Sequence, residues 1–181
     1  MRTVALDVDS VLFPINELQV LPYMEQVLGY PVDKSEVTTW TFGDIPRGRE
    51  LALAVFTRPD LYDGFTVKHT PGLADALALL RSQYRVLAVS APFAEHATSK
   101  WHYLRRLGFT DDRIVLTGDK GLVDFDVLVD DKPLTAEVLG PSRVVVFDQP
   151  WNRVDDLQLH HRAYNWDDVP RKVARLVAQR P

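Results

Sequence analysis

The sequence contains no cysteine among its 181 residues. This absence excludes disulfide bonds, a thiolate nucleophile and any zinc site built on cysteine ligands. A chain without disulfides suits a reducing compartment, and we therefore expect a cytoplasmic protein. Met1 lies directly before the first predicted strand, without the basic and apolar segments of a secretory signal, so we expect no signal peptide.

The sequence also lacks a long apolar segment and an excess of positive charge. No apolar run approaches the roughly 20 residues that a membrane-spanning helix needs, so we expect no membrane association. Lysine and arginine number 21 against 25 aspartates and glutamates, which gives a net charge of −4. Nonspecific nucleic-acid binders are usually basic, so we expect no nucleic-acid partner. A small anionic substrate is compatible with this charge, because local lysines and helix N-termini can bind phosphate.

What the sequence does contain is a series of short apolar strands that alternate with helices. The predicted strands are the segment before Asp7 and residues 84–89, 113–116, 126–129 and 143–147. The predicted helices are residues 71–80, with Thr70 as N-cap and Pro71 as first residue, and residues 94–107, 135–139 and 168–180. This alternation predicts an α/β fold with a doubly wound parallel sheet and right-handed crossovers.

Residues 14–64 interrupt this alternation. Helical patterns cover residues 16–30 and 46–57, and nothing in the segment alternates like a core strand. We therefore predict a small helical cap at residues 14–64, inserted after the first strand. The catalytic core would comprise residues 1–13 and 65–181.

Two carboxylates, Asp7 and Asp9, follow the first strand one residue apart. Two like charges this close resist ionising together unless a cation or a proton lies between them. The pair suits a mechanism in which Asp7 attacks phosphorus and Asp9 moves a proton as general acid and base. The simpler alternative is an acidic pair in a surface turn.

Further polar residues follow the other predicted strands: Ser90, Lys120, Asp130 and Asp131. In doubly wound sheets, ligands bind beyond the carboxyl ends of the strands, so these side chains are expected to meet Asp7. Two lysines are candidates for the phosphate contact. Lys120 is favoured because a strand-end loop directs it to the site, while Lys100 lies on the helix after Ser90. For each lysine the alternative is an ordinary solvated side chain.

Several motifs resemble those of known phosphatases. The run Asp7-Val8-Asp9-Ser10-Val11 resembles the DxDx[TV] motif of the haloacid dehalogenase-like phosphohydrolases. The narrower resemblance is to the 5'(3')-deoxyribonucleotidases, and it is carried by the stretches Thr70-Pro71-Gly72, Ser90-Ala91-Pro92, Ser99-Lys100-Trp101, Leu116-Thr117-Gly118-Asp119-Lys120 and Asp130-Asp131-Lys132-Pro133. The sequence departs from that family at Ser10, where glycine is common.

The resemblance implies a Mg²⁺-dependent phosphatase with a haloacid dehalogenase-like core. Its substrates would be deoxyribonucleoside monophosphates, cleaved through an aspartyl-phosphate. Mg²⁺ would be bound by Asp7, the Asp9 carbonyl and Asp131, with Asp130 behind them. Ser90 and the backbone at Ala91 would bind phosphate, and a homodimer is expected. Two alternatives stay open: a related phosphatase for another small phosphoester, and a nucleotide-binding protein without turnover.

The family's cap holds the base of the nucleotide, and the cap predicted here contains aromatic residues. Trp40 and Phe42 are candidate base contacts, since aromatic faces stack on bases, and Ile15 and Phe13 lie beside the catalytic turn. The alternative is that these aromatic side chains form the small core of the cap. The adjacent histidines His160 and His161 lack ligand-like spacing, so we predict surface residues rather than a metal site.

Overall fold

A computed structural model describes residues 1–91, 93–153 and 161–179. Its centre is a six-stranded parallel sheet with the strand order β3-β2-β1-β4-β5-β6. The strands are β1 (Thr3–Leu6), β2 (Arg85–Ser90), β3 (Ile114–Leu116), β4 (Val127–Asp130), β5 (Val144–Phe147) and β6 (Arg162–Ala163). The predicted α/β class and doubly wound parallel sheet are confirmed.

Strand β1 lies in the middle of the sheet. Leu6, its last residue, pairs with Ala88 of β2 on one side and with Val129 of β4 on the other. The chain order of the strands reverses between β1 and β4, and such a reversal opens a crevice at the carboxyl ends of the strands. The residue that follows β1, Asp7, therefore lies at this crevice.

Six α-helices accompany the sheet in the part of the chain that the structure describes. They are α1 (Leu21–Leu28), α2 (Gly48–Phe56), α3 (Leu73–Gln83), α4 (Ala97–Arg106), α5 (Pro133–Leu139) and α6 (Val169–Ala178). Helices α3, α4 and α6 contribute to the same apolar cluster as Val4 and Leu6, whereas Ala5 belongs to a second cluster. This division follows from the two-residue period of a strand, which sends alternate side chains to opposite faces. In the described part of the chain, no helix has the length and apolar character needed to cross a membrane.

The segment between β1 and α3 is helical, as the sequence pattern indicates. It contains α1 and α2 and, in residues 14–64, which the structure describes in full, no strand. Met24 of α1 and Val55 of α2 are fully buried and belong to the same apolar cluster as Leu6 of β1. The segment therefore packs on the core. Its assignment as a separate cap stays a prediction.

The start of α3 differs from the prediction. The helix begins at Leu73 rather than Pro71, and Gly72 precedes it with a φ of +77°. This left-handed conformation, which glycine adopts readily, separates Pro71 from the helix. Thr70 does not cap the helix. Its hydroxyl donates a hydrogen bond to the Leu12 carbonyl at 3.3 Å and so connects the start of α3 to the turn after β1.

The prediction that both histidines lie on the surface was wrong for His161. This residue is buried directly before β6, and its carbonyl accepts a hydrogen bond from the backbone of Val146 at 3.2 Å. Strand β6 was missed because two residues are too few to show an alternating pattern. His160 lies outside the described residues, as do Pro92 and Arg180.

Candidate active site

Asp7, Lys120 and Asp130 form a buried ion cluster at the carboxyl edge of the sheet. The Lys120 Nζ lies 2.8 Å from Oδ2 of Asp7 and 2.6 Å from Oδ2 of Asp130. Burial raises the pKa of Asp7 to about 7. The positive charge of Lys120 opposes this rise, but the negative charges of Asp130 and Asp9 partly cancel its effect. One lysine therefore does not balance the negative charge gathered here.

Asp9 is bound at both of its carboxylate oxygens. The Lys100 Nζ lies 2.7 Å from Oδ2 of Asp9 and 2.8 Å from Oγ of Ser90. The hydroxyl of Tyr62 donates a hydrogen bond to Oδ1. Burial alone would raise the pKa of Asp9, but the charge and hydrogen bond of Lys100, joined by the Tyr62 hydroxyl, hold it below its usual range. Asp9 and Asp7 therefore differ in proton affinity although one residue separates them.

Asp131 completes a group of carboxylates that can hold a metal ion. Ligand oxygens of Asp7, Asp130 and Asp131 all lie within 4.8 Å of one another, and all three residues are buried. Burial, reinforced by the charges of Asp130 and Asp7, raises the pKa of Asp131 well above its usual value. Oxygen ligands with surplus negative charge suit a hard divalent cation, so these residues fit the metal that the sequence motifs imply.

The two adjacent aspartates of this group have different surroundings. Both oxygens of Asp130 are engaged by protein donors, Oδ2 by Lys120 and Oδ1 by the backbone N–H of Lys132 at 2.8 Å. Asp131 lines the cavity above the sheet, and its Oδ2 accepts a hydrogen bond from Nε1 of Trp151 at 3.0 Å. Asp131 is therefore the aspartate of the pair that faces the open side of the site.

A cavity of about 570 Å³ lies above these residues. Its floor carries chemistry-bearing side chains, namely Asp7, Asp9, Ser90, Lys120 and Asp131. Its upper wall comes from the helical segment and includes Ile15, Trp40, Phe42, Arg49 and Phe56. The floor and wall also touch directly, because the Nζ of Lys132 lies 4.5 Å from the ring centroid of Trp40.

Comparison with known proteins assigns this chain to a family. A family model described as "5' nucleotidase, deoxy (Pyrimidine), cytosolic type C protein" matches residues 2–180. This chain belongs to that nucleotidase family. It is therefore a phosphatase of the 5'-nucleotidase type.

Individual relatives agree with this family. The nucleotidase is 34% identical over 135 residues to a Bordetella parapertussis protein provisionally named 5'(3')-deoxyribonucleotidase, and the match covers 68% of this chain and 69% of that protein. A Bordetella pertussis protein of the same name is 33% identical over the same shares. The solved structure of a haloacid dehalogenase-like hydrolase from Burkholderia xenovorans LB400 superposes with a TM-score of 0.52 at 15% identity, covering 97% of each chain. That likeness shows the fold.

The structure brings most of the predicted site residues together in the nucleotidase. Ala91 lines the cavity beside Ser90, and Ile15, Trp40 and Phe42 form the opposite wall. Lys100 is not a solvated lysine: it is 0% exposed, and it contacts Asp9 and Ser90 from beneath the cavity floor. Phe13 does not reach the cavity wall.

The ring of Phe13 is fully buried instead, in an aromatic cluster below the site. Its centroid lies 4.8 Å from that of Tyr62, 5.0 Å from that of Phe65 and 5.2 Å from that of Tyr103. A residue in this position packs the floor of the site and does not contact a base. Phe13 is therefore no base contact in this structure, contrary to the expectation from its position in the sequence.

Sequence reasoning missed two residues that bind carboxylates of the candidate site, Tyr62 and Trp151. Both are buried, and each gives one hydrogen bond to an aspartate of the site. A single aromatic residue far along the chain from its partner carries no sequence signal for such a contact. Only the packing of the segment before α3 and of the segment after β5 brings these side chains to the sheet edge.

The departure at Ser10 has a conformational explanation. Ser10 has a φ of +61°, in the left-handed region that glycine adopts without strain. Its carbonyl accepts a hydrogen bond from Nε2 of Gln149 at 2.8 Å, and its hydroxyl lies 3.4 Å from Nδ2 of Asn16. These contacts hold the turn in a conformation that a non-glycine residue disfavours.

Proposed function

We infer that this protein is a Mg²⁺-dependent phosphatase that hydrolyses deoxyribonucleoside monophosphates. One observation carries the proposal: Asp7 and Asp9 both face the cavity, and each is paired with its own lysine, Lys120 and Lys100. A nucleophile and a proton carrier can thus work side by side without forming a single coupled carboxylate pair. The family relationship supplies the nucleotide as the substrate class.

In the first half of the reaction, an Oδ atom of Asp7 attacks the phosphorus of the ester. The bond from phosphorus to the ester oxygen breaks, and its electron pair stays on the departing oxygen of the sugar. Asp9, whose pKa is low in the free protein, takes up a proton when the anionic phosphate binds beside it and gives that proton to the departing oxygen, so the nucleoside leaves as a neutral alcohol. Asp7 is left as an aspartyl-phosphate.

In the second half, water attacks the phosphorus of the aspartyl-phosphate. The carboxylate of Asp9 takes a proton from this water, the bond from phosphorus to Asp7 breaks, and inorganic phosphate leaves. Asp9 is then protonated again for the next ester. The sum is one ester and one water consumed, and one alcohol and one phosphate formed.

The remaining floor residues bind the phosphoryl group and the metal. Ser90 and Lys120 face the cavity, where a hydroxyl and an ammonium group can donate hydrogen bonds to phosphate oxygens. Asp7, the Asp9 carbonyl and Asp131 would hold Mg²⁺. A bound Mg²⁺ neutralises charge on the phosphoryl group and on the carboxylates around it.

The base would occupy the apolar upper part of the cavity. The ring of Trp40 is half exposed and borders the cavity, so one of its faces can stack on a base. Ile15 and Phe42 close the same wall. A nucleoside monophosphate placed with its phosphate at Asp7 would then bridge the floor and the helical wall.

The test is phosphate release from 5' and 3' deoxyribo- and ribonucleoside monophosphates, with Mg²⁺ and with EDTA. We expect release from deoxyribonucleotides that needs Mg²⁺ and that falls by at least about 10⁴-fold in Asp7→Asn. Asp75→Asn, on the exposed side of α3, is the matched control. Release only from p-nitrophenyl phosphate would replace the nucleotide by another small phosphoester. Binding without release from any ester would contradict the enzymatic proposal.

A further inference from the structure

Tyr62 reaches the catalytic turn from the segment that joins α2 to α3. Its side chain is fully buried, and its hydroxyl donates a hydrogen bond to Oδ1 of Asp9. Its ring lies against Phe13 and Tyr103 and beneath the Nζ of Lys100, which is 5.3 Å from the ring centroid. Tyr62 does not line the cavity, so it contacts Asp9 from the side that the substrate does not occupy.

The two contacts of Asp9 differ in what they can do. Lys100 supplies a positive charge to Oδ2 and also bonds the Ser90 hydroxyl. Tyr62 supplies no charge, and its hydroxyl engages the other oxygen. Together they hold the carboxylate plane at two points, which prevents rotation about the bond that joins it to the side chain. Each oxygen still has a lone pair for a proton, because a carboxylate oxygen can accept two hydrogen bonds.

We propose that Tyr62 is a positioning residue for Asp9, which it holds in the orientation that delivers a proton to the leaving oxygen of the substrate. The proposal rests on the proposed function, in which Asp9 is the proton carrier. Without the Tyr62 hydroxyl, the carboxyl is fixed only at Oδ2 and spends less time in the productive orientation. Proton delivery becomes slower, while binding of the phosphate is unaffected.

This role predicts a dependence on the leaving group. The alkoxide of a nucleoside is strongly basic and needs a proton as it departs, whereas p-nitrophenolate leaves without one. The ratio kcat/KM covers the steps up to cleavage of the ester bond, where this proton is used. We therefore expect Tyr62→Phe to lower kcat/KM for a deoxyribonucleoside monophosphate about tenfold, a fraction of the 10²- to 10⁴-fold typical of a general acid. For p-nitrophenyl phosphate the change should stay within about twofold.

Tyr103→Phe is the matched control. Tyr103 is equally buried in the same aromatic cluster, but its hydroxyl donates to the Leu12 carbonyl at 2.8 Å rather than to a carboxylate. Both variants lose one buried hydroxyl and keep the ring. We expect Tyr103→Phe to leave the ratio of the two kcat/KM values as in the unmodified protein. Thermal unfolding of both variants checks that the fold is retained.

The possible outcomes distinguish a failure of the proposed phosphatase function from a failure of the positioning role of Tyr62. If the unmodified protein cleaves no phosphoester, or if Asp7→Asn is fully active, the proposed function fails and takes this inference with it. If the enzyme behaves as proposed but Tyr62→Phe lowers kcat/KM equally for both substrates, or for neither, only the proposed role of Tyr62 is wrong. A second measurement uses Asp9→Asn: because Tyr62 acts through Asp9, Tyr62→Phe should cause no further loss on the nucleotide in that background.

Discussion

The sheet edge and the helical wall meet across one cavity, but they are built differently. At the sheet edge, Asp130 and Lys100 are completely buried, and they are bound by the side chains of Lys120 and Asp9, respectively. On the wall, Trp40 is 50% exposed. Groups that must keep one geometry are thus surrounded by protein, whereas the aromatic ring that would stack on a base is left half exposed.

This contrast follows from the secondary structure of the two regions, which is a parallel sheet at the edge and a loop-rich segment on the wall. Parallel strands end at one edge and place Asp7, Ser90 and Asp130 beside one another with little freedom. The wall belongs to a loop-rich segment, where Phe42 and Arg47 both adopt left-handed φ values, of 57° and 56°. We expect substitutions at the sheet edge to affect catalysis and metal binding. Substitutions on the wall should affect only the binding of the nucleotide.

Among the changes that test this contrast, we expect the largest effect from replacing each of the two adjacent aspartates, Asp130 and Asp131, in turn. Asp131→Asn removes the carboxylate that faces the cavity, and we expect the Mg²⁺ concentration for half-maximal activity to rise by at least about 100-fold, more than the 10- to 100-fold typical of residues that only orient a ligand. Asp130→Asn should raise it less, because both Asp130 oxygens are engaged by protein donors. Titration of the metal by calorimetry checks the order independently of turnover. Equal effects of the two substitutions would argue against direct binding by Asp131.

A smaller effect is expected on the wall. Trp40→Ala removes a stacking surface, and we expect KM for deoxyribonucleoside monophosphates to rise about 5- to 30-fold, corresponding to 1–2 kcal/mol of stacking. Competitive inhibition by inorganic phosphate, which has no base, should be unchanged. Tyr30→Ala is the control, because Tyr30 is a comparably exposed aromatic residue that does not line the cavity. A matching loss of phosphate affinity in Trp40→Ala would show that wall and floor are not separable.

A third prediction concerns His96, which connects the helical segment to the core. Its Nδ1 lies 2.7 Å from the Phe56 carbonyl oxygen, and its Nε2 accepts a hydrogen bond from the backbone of Phe93 at 3.4 Å. Burial and the charge of Lys100 lower the pKa of His96, although Asp9, the Phe56 hydrogen bond and Glu95 oppose this shift. The folded protein therefore favours the neutral ring.

Protonation of His96 should accordingly weaken the fold. The unfolded chain binds this proton near pH 6.5 and the folded chain only at lower pH. The contribution of the neutral His96 ring to the free energy of unfolding is therefore intact above about pH 6.5 and declines as the pH falls. Urea unfolding at pH 7.5, 6.5 and 5.5 should show a steeper acid loss in the unmodified protein than in His96→Gln. Parallel pH dependence of the two proteins would contradict the assignment. His69→Gln, at an exposed histidine, is the control.

The smallest effect is expected at Ser10. Its left-handed φ costs about 1–2 kcal/mol, of which glycine would recover part while adding backbone entropy to the unfolded chain. Ser10→Gly should therefore raise the free energy of unfolding by about 0.5–1 kcal/mol in urea denaturation. Ser10→Ala keeps the unfavourable φ and loses the contact with Asn16, so no gain is expected there. A loss of stability in Ser10→Gly would indicate that the Ser10 hydroxyl matters more than the backbone.

Much of the fold could be predicted because the local patterns agree with the tertiary structure. The apolar runs before Asp7, Ser90 and Asp130 form strands, and the rule that ligands bind at strand ends places those residues together. The start of α3 was predicted wrongly, because Thr70 and Pro71 match a helix start and yet Gly72 takes a left-handed turn. Local residue preferences could not show that Thr70 is drawn to the Leu12 carbonyl instead.

The sequence by itself determined strands β1 to β5, the helical segment after β1 and the set of aspartates and lysines at the strand ends, because these depend on periodicity and on residue order. The tertiary structure alone decided which group each of them contacts. Lys100 could be read as solvated or functional, and only the packing of α4 against the turn after β1 brings it to Asp9. Tyr62 and Trp151 gave no sequence signal, because a hydrogen bond between residues far apart in the chain depends on how the chain folds back.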